Sequence, residues 1–437
     1  LAAYGGRFDV AVIGGGIVGL YTALDLTLRD FKVVLLERGA IGSGTSGRMH
    51  GLLHSGARYA VRDPNAAIEC ALESKIVSEV APHAVENTGG YFVAVERGDE
   101  DYLDEFLKGL RDTGILHKLV DPGDALEEEP NLSRSLRAVV EVPDMVVRAI
   151  DVLGSIALSA YIEGARVLEN AEVVGFKIAG GSIEEISIRD RISGSLRSVR
   201  AELVVNASGP WAGKVASMAG ANIEIMPTAG SMIVIPARLS RRVINRLRPP
   251  SDGDIVVPYA GSSIVGTTAR VIEDPDQVEP DEEEIELLLE EGSKMLPMIR
   301  RIGYTRVYYS IRPLLRAEGE RAGREATRDF KIYRHGKPRN LISVVGGKFT
   351  TGRLVAEKVS DEVSKALSSS KASRTRSYKL RQASEEDLAD IDPRLKALAK
   401  SMCDKRLLDY ERLCSALYRV IAHYISLMSR KDLGWIL

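Results

Sequence analysis

Residues 8–37, FDVAVIGGGIVGLYTALDLTLRDFKVVLLE, decide the fold of this chain. The apolar run Phe8–Ile13 is typical of a strand buried inside a parallel sheet. The pattern then predicts a helix from Ile17 to about Arg29 and a second buried strand from Lys32 to Leu36. A strand, a helix and a parallel strand in this order form a βαβ unit.

A glycine pattern occupies the turn between the first strand and the helix. Gly14, Gly16 and Gly19 have the G-x-G-x-x-G spacing, and Glu37 closes the second strand. The first glycine permits a tight turn, the second lets a pyrophosphate approach the backbone, and the third allows the helix to pack closely on the strand. The helix N-terminus offers unpaired N–H groups to phosphates, and an acid placed about 20 residues on binds ribose hydroxyls. The unit is therefore predicted to bind a dinucleotide.

Two further segments favour FAD over NAD as the dinucleotide. Residues 42–46, GSGTS, follow the second strand and offer hydroxyls and amides to a pyrophosphate. Residues 346–351, GGKFTT, form a second glycine turn before a helix, far along the chain. The N-terminus of that helix suits the pyrimidine end of a flavin, where negative charge develops on reduction.

Composition limits the class of protein. The chain has 437 residues, a formal net charge of −2, 45% hydrophobic residues and 27% charged residues. This length predicts two or three domains, and the charge gives no indication of nucleic-acid binding. The three cysteines, Cys70, Cys403 and Cys414, are far apart, which argues against a zinc site, an iron–sulfur site or a disulfide framework. No metal site is predicted.

The pattern along the chain predicts an α/β and α+β protein in which two domains are built from separated segments. A Rossmann-type FAD-binding domain is expected over residues 1–85, 148–222 and 325–367, a sheet-rich substrate-binding domain over 86–147 and 223–324, and a linker with a small helical C-terminal region over 368–437. No apolar run reaches the roughly 18 to 20 residues that span a bilayer. A cytoplasmic protein is therefore expected, with peripheral contact at the inner face of the cell membrane left open.

Several motifs in the same order and spacing resemble the FAD-dependent glycerol-3-phosphate dehydrogenases, and most closely the catalytic A subunit of the anaerobic enzyme. The motifs are GTSGRMHGLLHSGARYAV (44–61), DPNAAIEC (63–70), NASGPWA (206–212), VGTTAR (265–270), SIRPLL (310–315) and GGKFTTGRLVAEK (346–358). The amino-acid oxidase-like flavoproteins in general share fewer of these motifs. The resemblance implies a two-domain flavoprotein with its active site in the interdomain cleft.

The implied reaction is oxidation of sn-glycerol 3-phosphate to dihydroxyacetone phosphate by hydride transfer to the flavin N5, with electrons passed to a quinone or a redox partner. The resemblance places five catalytic or substrate-binding side chains in the cleft: His54, Arg58, Tyr59, Arg312 and Lys348. Cationic groups that converge on one cleft suit a dianionic phosphate ester, and a guanidinium can hold it bidentately.

The cofactor-binding residues follow from the glycine turns and from the resemblance. They are expected to be Gly14, Gly16, Ile17, Gly19, Glu37, Arg38, Gly44, Thr45, Ser46, His50, Gly51, Val173, Ala207, Gly209, Trp211, Gly346, Gly347, Lys348, Phe349 and Thr350. Met49 stands where the family usually has asparagine, which predicts an altered contact near the flavin.

The identity of the catalytic base stays open. Met232 occupies a position that carries histidine in the aerobic branch of the family, and a thioether cannot accept a proton. His54, Lys348 or a water molecule could take the hydroxyl proton.

The C-terminal region departs from the family's anaerobic branch, in which the catalytic chain carries clustered cysteines. Cys403 and Cys414 are too few to hold a [2Fe–2S] cluster. Residues 407–428 are amphipathic and could dock a partner or a membrane surface, but packing on the chain itself or on a dimer mate is favoured.

Two rival functions remain at this point. The first is oxidation of another small hydroxy or amino acid, such as 2-hydroxyglutarate or proline. The second is a flavin electron-transfer subunit without a substrate of its own, which the presence of the arginines and the lysine disfavours.

Overall fold

The computed structural model describes residues 2–315 and 329–382. The strands are β1 (Ala2–Ile13), β2 (Val33–Leu36), β3 (Leu52–Leu53), β4 (Val85–Glu86), β5 (Gly90–Ala94), β6 (Lys118–Val120), β7 (Ala138–Val142), β8 (Met145–Val147), β9 (Arg166–Leu168), β10 (Ala171–Ala179), β11 (Ser182–Asp190), β12 (Leu196–Asn206), β13 (Ile225–Ile235), β14 (Val243–Arg246), β15 (Ile255–Tyr259), β16 (Ser262–Gly266), β17 (Arg270–Val271), β18 (Arg306–Leu315), β19 (Phe330–Arg334) and β20 (Leu341–Gly346). The helices are α1 (Ile17–Leu28), α2 (Pro64–Val80), α3 (Leu103–Asp112), α4 (Pro122–Glu128), α5 (Ala149–Ile162), α6 (Ala212–Met218), α7 (Glu282–Met295), α8 (Met298–Ile302) and α9 (Gly352–Ala366).

The first sheet is built around the βαβ unit that the sequence predicts. Its parallel strands run in the order β9-β2-β1-β12-β20, with β19 antiparallel to β20 and the β10–β11 hairpin attached to the first half of β12. Val10, Ala11 and Val12 of β1 are fully buried, because helices and the hairpin cover both faces. The carboxyl ends of these strands meet at one edge, which is where open α/β sheets bind ligands.

Helices cover the first sheet on both sides. On one face, α1 lies between α5 and α9 in a single hydrophobic cluster, and eleven of its twelve residues are buried. This burial explains why the sequence of α1 is apolar all round rather than on one stripe. On the other face, α6 packs with the β10–β11 hairpin.

The second sheet is mostly antiparallel and has nine strands. Its order is β17-β13-β16-β15-β14-β5-β7-β6, and β18 also pairs with β13. α7 and α8 pack on one face, while α2, α3 and the 3-10 turn Ala57–Tyr59 pack on the other. The short sheet β3-β8-β4 lies where the chain passes from the first sheet to the second. The arrangement confirms the expected mixed α/β fold, while the exact domain boundaries stay a prediction.

The polar segment 368–376, predicted to be a linker, packs against the first sheet's helices. Arg374 donates a hydrogen bond to the carbonyl of Leu28 at 2.7 Å, and the buried Arg29 donates one to the carbonyl of Lys371 at 3.2 Å. The last carbonyls of a helix lack partners within the helix, so a basic segment satisfies them at the end of α1. Residues 383–437, with Cys403 and Cys414, lie outside the described residues.

A buried ion pair joins α2 to the start of α9. Arg353 donates to the two carboxylate oxygens of Glu73 at 2.8 and 2.5 Å, and both side chains are at most 4% exposed. Glu73→Ala should lower the free energy of unfolding by about 3–5 kcal/mol, because it leaves a buried guanidinium without this carboxylate. Denaturant titration measures this change, and Arg300→Ala, in the exposed pair with Glu286, should cost less than about 1 kcal/mol. Equal losses in the two variants would contradict the interpretation.

Candidate active site

One cavity of about 730 Å³ lies between the carboxyl edge of the first sheet and the β13–β18 part of the second sheet. Its volume is in the range of pockets that hold cofactors and small ligands. The predicted residues that line it are His54, Tyr59, Arg312, Lys348, Gly14, Gly16, Ile17, Glu37, Arg38, Gly44, Thr45, Ser46, His50, Val173, Ala207, Gly209, Trp211, Gly346, Gly347, Phe349 and Thr350. Both glycine turns and the histidine-containing loop therefore open onto the same space.

The first glycine turn forms one end of the cavity. Gly14 has a φ of +111°, and a Cβ there would lie 2.5 Å from the carbonyl oxygen of Ala207. A Cβ on Gly19 would lie 1.9 Å from the carbonyl oxygen of Gly14, so Gly19 serves helix packing and does not itself line the cavity. The Ile17 N–H at the start of α1 donates to the Ser46 hydroxyl at 3.0 Å. The backbone can thus approach a ligand closely at this turn.

Glu37 stands at the end of β2, beside this turn. Its carboxylate accepts hydrogen bonds from the N–H groups of Gly15 at 2.6 Å and Gly39 at 2.7 Å. Burial raises the pKa of Glu37, and the two backbone N–H groups counteract part of that rise. A carboxylate oxygen that accepts one such bond can accept another, so Glu37 fits the hydroxyls of a ribose.

The second glycine turn also lines the cavity. Gly346 and Gly347 have φ values of +94° and +84°, and a Cβ on Gly346 would lie 2.2 Å from the Asp329 carbonyl oxygen. Lys348 and Phe349 follow along the cavity wall, and α9 begins a few residues later at Gly352. The two turns place two helix N-termini at one elongated cavity, which suits the phosphates and the flavin of FAD.

Four side chains with polar or cationic groups lie together near the second turn. The ring centroids of His54 and Tyr59 are 5.4 Å apart, and those of His50 and His54 are 6.0 Å apart. The Lys348 ammonium lies 4.9 Å from the centroid of the Tyr59 ring. His50 Nδ1 accepts a hydrogen bond from the Leu52 N–H at 3.1 Å, which leaves its ring oriented by the backbone. The cavity thus holds proton-transfer groups and a cation side by side.

Arg312 reaches the cavity from β18. It lies opposite Thr228 of β13 in the antiparallel pairing. Its guanidinium donates to the Thr268 carbonyl at 3.1 Å and to the Thr267 hydroxyl. A Cβ on Gly230 would lie 2.7 Å from Arg312 Nη2, so the guanidinium rests directly on the glycine backbone. Thr267 and Gly230 therefore fix the direction of the guanidinium.

The structure corrects the expected position of Arg58. This side chain is buried and does not line the cavity; its guanidinium pairs with the buried Asp254 at 2.7 Å. A buried guanidinium needs a carboxylate partner, and Asp254 on the second sheet supplies it. Arg58 thus ties the 3-10 turn that carries Tyr59 to the second sheet. The motif could not indicate that the two neighbours point in different directions.

Gly51 also lies outside the cavity wall. Its φ is +90°, and a Cβ would lie 2.6 Å from the ring of Tyr259. Packing against Tyr259 therefore requires a glycine at position 51, and its contact with the cofactor stays a prediction.

Some cavity residues were not predicted from the sequence. Arg48 and Tyr309 line the wall together, with the guanidinium 5.9 Å from the ring centroid, and Thr267, Lys214 and Asp276 line it as well. Arg48 and Thr267 lie within the motifs at 44–61 and 265–270 that resemble the family, but no role was predicted for either residue. No pattern in the sequence marked Lys214 or Asp276.

Met232 and Met49 lie in the wall, where their apolar side chains exclude water. Burial raises the pKa of the Cys70 thiol to about 12, which keeps it protonated.

Within residues 2–315 and 329–382, no group of histidine, cysteine and acidic side chains could hold a metal ion. In the same ranges, no helix combines the length and the apolar character needed to cross a membrane.

Comparison with known proteins agrees with the resemblance. The chain is 36% identical over 373 residues to the A1 subunit of the anaerobic glycerol-3-phosphate dehydrogenase of Haloferax volcanii, covering 82% of this chain and 64% of that one. It is 36% identical over 364 residues to the corresponding A subunit of the Escherichia coli K12 enzyme, with 82% and 67% covered. The chain thus spans about two thirds of the length of these relatives.

Solved structures show the same fold. The glycerol-3-phosphate dehydrogenase of Bacillus halodurans complexed with FAD has a TM-score of 0.69 at 22% identity, with 99% of this chain and 78% of that one covered. The L-α-glycerophosphate oxidase of Mycoplasma pneumoniae with FAD bound has a TM-score of 0.69 at 18% identity, with 86% and 100% covered.

The family model described as FAD dependent oxidoreductase matches residues 9–362, from within β1 to the body of α9. The cavity formed by these residues fits the cofactor that the family uses, and the sequence-based expectation of FAD is confirmed. The chain belongs to the family of FAD-dependent oxidoreductases.

Proposed function

We propose that this chain oxidises sn-glycerol 3-phosphate to dihydroxyacetone phosphate. The observation that carries the proposal is that Arg312 lines the same cavity as the neighbouring side chains of Lys348, His54 and Tyr59. The names of the relatives at 36% identity support the same substrate. When bound, FAD supplies the oxidant that takes the hydride from C2 of the alcohol.

Two cations suit the charge of the substrate. Arg312 presents a planar fork that matches phosphate oxygens, and its contacts with Thr267 and Thr268 orient the fork before substrate arrives. Lys348 adds a compact positive charge beside Tyr59. Because the chain as a whole has a net charge of −2, the attraction for an anionic substrate is local to this cavity.

The hydroxyl proton must leave as the C2–H bond breaks. His54 lies next to Tyr59, and its neutral ring can accept a proton through a nitrogen lone pair. Met232 cannot accept a proton, and its apolar side chain helps to keep water away from the reacting carbon. We therefore assign proton transfer to His54 and the positive charge beside Tyr59 to Lys348.

We also propose that the electrons pass to a partner subunit or a quinone, at the inner face of the cell membrane. The word subunit in the names of the relatives supports a partner of this kind.

A substrate panel with an artificial electron acceptor tests the proposed substrate. Glycerol 3-phosphate should be turned over to dihydroxyacetone phosphate, and glycerol should have a kcat/KM lower by about a hundredfold or more, because it lacks the charged group that Arg312 binds. Faster turnover of proline or 2-hydroxyglutarate would refute the substrate assignment. No turnover of any of the four would favour an electron-transfer role instead.

Gly230→Ala should impair the same step without removing a functional group. The new Cβ would lie 2.7 Å from both Arg312 Nη2 and the Thr268 carbonyl oxygen, so the guanidinium must move. We expect kcat/KM for glycerol 3-phosphate to fall by about tenfold or more while FAD stays bound. Gly175→Ala is a suitable control, because Gly175, like Gly230, has no left-handed φ and nothing lies within 4 Å of the new Cβ. Wild-type kinetics in Gly230→Ala would argue against a guanidinium held on this glycine.

A further inference from the structure

A loop from the second sheet crosses to the outer end of the cofactor cavity. It connects β17 to α7, and its residues Pro275 and Asp276 line the cavity beside Arg38 and Trp211. Arg38 directly follows Glu37, whose position suits the ribose, so this is the adenosine end of the site. The second sheet therefore contributes to both ends of the cavity: Arg312 at the substrate end and this loop at the other.

The Asp276 carboxylate is the point where the loop is attached. One oxygen accepts from Arg38 Nη1 at 3.0 Å and from Trp211 Nε1 at 2.8 Å. The other oxygen pairs with the Lys214 ammonium at 2.8 Å. The three donors come from two segments of the nucleotide-binding half: Arg38 just after β2, and Trp211 and Lys214 in the continuous stretch formed by the 3-10 turn Gly209–Trp211 and α6.

The Asp276 carboxylate also binds both members of a stacked pair of side chains, Arg38 and Trp211. The Arg38 guanidinium lies 4.5 Å from the centroid of the Trp211 ring, a cation–π contact, and Asp276 holds the edge of each group. Asp274 supports the arrangement, because it binds Lys214 at 2.6 Å and accepts the Asp276 N–H at 2.8 Å. Without Asp276, the stacked pair loses its contact with the loop, and of these ion pairs across the two halves only Asp274–Lys214 remains.

We propose that Asp276 is a cofactor-positioning residue whose carboxylate closes the loop over the adenosine end of FAD and slows FAD release. The side chains of Arg38, Lys214 and Asp276 are 39–43% exposed, so each ion pair alone contributes little. Because one carboxylate binds all three donors, replacing Asp276 removes all three contributions at once. The proposal rests on the FAD site and does not depend on the identity of the substrate.

The experiment measures FAD release from purified holoenzyme at several salt concentrations, with an excess of an apo-flavoprotein that binds FAD added as the flavin trap. Asp276→Asn should release FAD about tenfold faster than wild type at low salt, because the variant loses the charge on which three donors converge. Release from wild type should accelerate with salt as the ion pairs are screened, and this salt dependence should be weaker in Asp276→Asn. If ion pairs hold the loop closed, Asp276→Asn weakens the salt dependence of FAD release. A general loss of structure would accelerate release without weakening its salt dependence.

Two variants keep the test decisive. Glu286→Gln removes an exposed carboxylate of the Arg300 pair on α7 and should release FAD at the wild-type rate. Lys214→Gln removes the ammonium that Asp274 and Asp276 share and should also accelerate FAD release, which gives an independent reading if Asp276→Asn folds poorly. Wild-type release from both Asp276→Asn and Lys214→Gln, or an equal acceleration in Glu286→Gln, would overturn the proposal. A failure of glycerol 3-phosphate as substrate would leave these release rates unaffected.

Discussion

Arg312→Ala is expected to lower kcat/KM for glycerol 3-phosphate by about a hundredfold to a thousandfold while FAD remains bound. A guanidinium that binds a phosphate or a C2 oxygen makes charged hydrogen bonds, each of which contributes about 1.5–3 kcal/mol. Two such bonds near the lower end of this range, about 3–4 kcal/mol in total, correspond to this loss, since about 1.4 kcal/mol is tenfold. Arg312→Lys keeps the positive charge but loses the planar guanidinium with its parallel N–H donors, so it should retain part of the activity that Arg312→Ala loses.

Steady-state kinetics of the three enzymes measure the effect, together with the absorbance of bound flavin. Arg306→Ala is a matched control, because Arg306 lies on the same strand, is exposed and does not line the cavity. Arg312→Ala with unchanged kcat/KM would remove Arg312 from the substrate site.

Gly14→Ala is expected to abolish stable FAD binding. The new Cβ would lie 2.5 Å from the Ala207 carbonyl oxygen and 3.1 Å from the Ser208 Cα, both backbone atoms that cannot rotate away. The turn at Gly14 must then open, and the N–H groups at the start of α1 lose their direction toward the phosphates. We expect the purified variant to lack bound flavin and its affinity for FAD to fall by at least about a hundredfold.

Gly164→Ala provides a control for Gly14→Ala with the same backbone strain. Gly164 also has a φ of +111°, but nothing lies within 4 Å of a Cβ there. Flavin absorbance after purification and an FAD titration of each variant distinguish the two cases. If Gly14→Ala retained FAD as well as Gly164→Ala does, close approach at this turn would not be the basis of binding.

Local patterns were sufficient to predict the nucleotide-binding half of the fold. The buried run of β1, the glycine turn and the apolar sequence of α1 lie within about thirty consecutive residues, so periodicity and turn chemistry define them. The predicted helix from Ile17 to about Arg29 ends at Leu28 in the structure, and the predicted strand Lys32–Leu36 begins at Val33. Cavity residues such as Arg312 and Lys348 were also identified, because they belong to motifs.

Long-range contacts explain what the sequence could not predict. Arg58 and Tyr59 are adjacent in the motif, but Tyr59 lines the cavity, whereas Arg58 pairs with the buried Asp254, nearly two hundred residues away. Asp276 lies in a loop with no distinctive pattern, and its partners Arg38 and Trp211 are far from it in sequence. The polar segment 368–376 has the composition of a linker, yet the end of α1 binds it. In each case the partner is supplied by the tertiary fold rather than by neighbouring residues.

The most direct measurement is the anaerobic reduction of the bound flavin by a single substrate, with no electron acceptor present. Glycerol 3-phosphate should bleach the visible absorbance of the oxidised flavin in the wild-type holoenzyme, with one dihydroxyacetone phosphate formed per flavin reduced. Arg312→Ala should bleach far more slowly at the same substrate concentration. A flavin that stays oxidised with glycerol 3-phosphate but is bleached by proline or 2-hydroxyglutarate would contradict the proposed function.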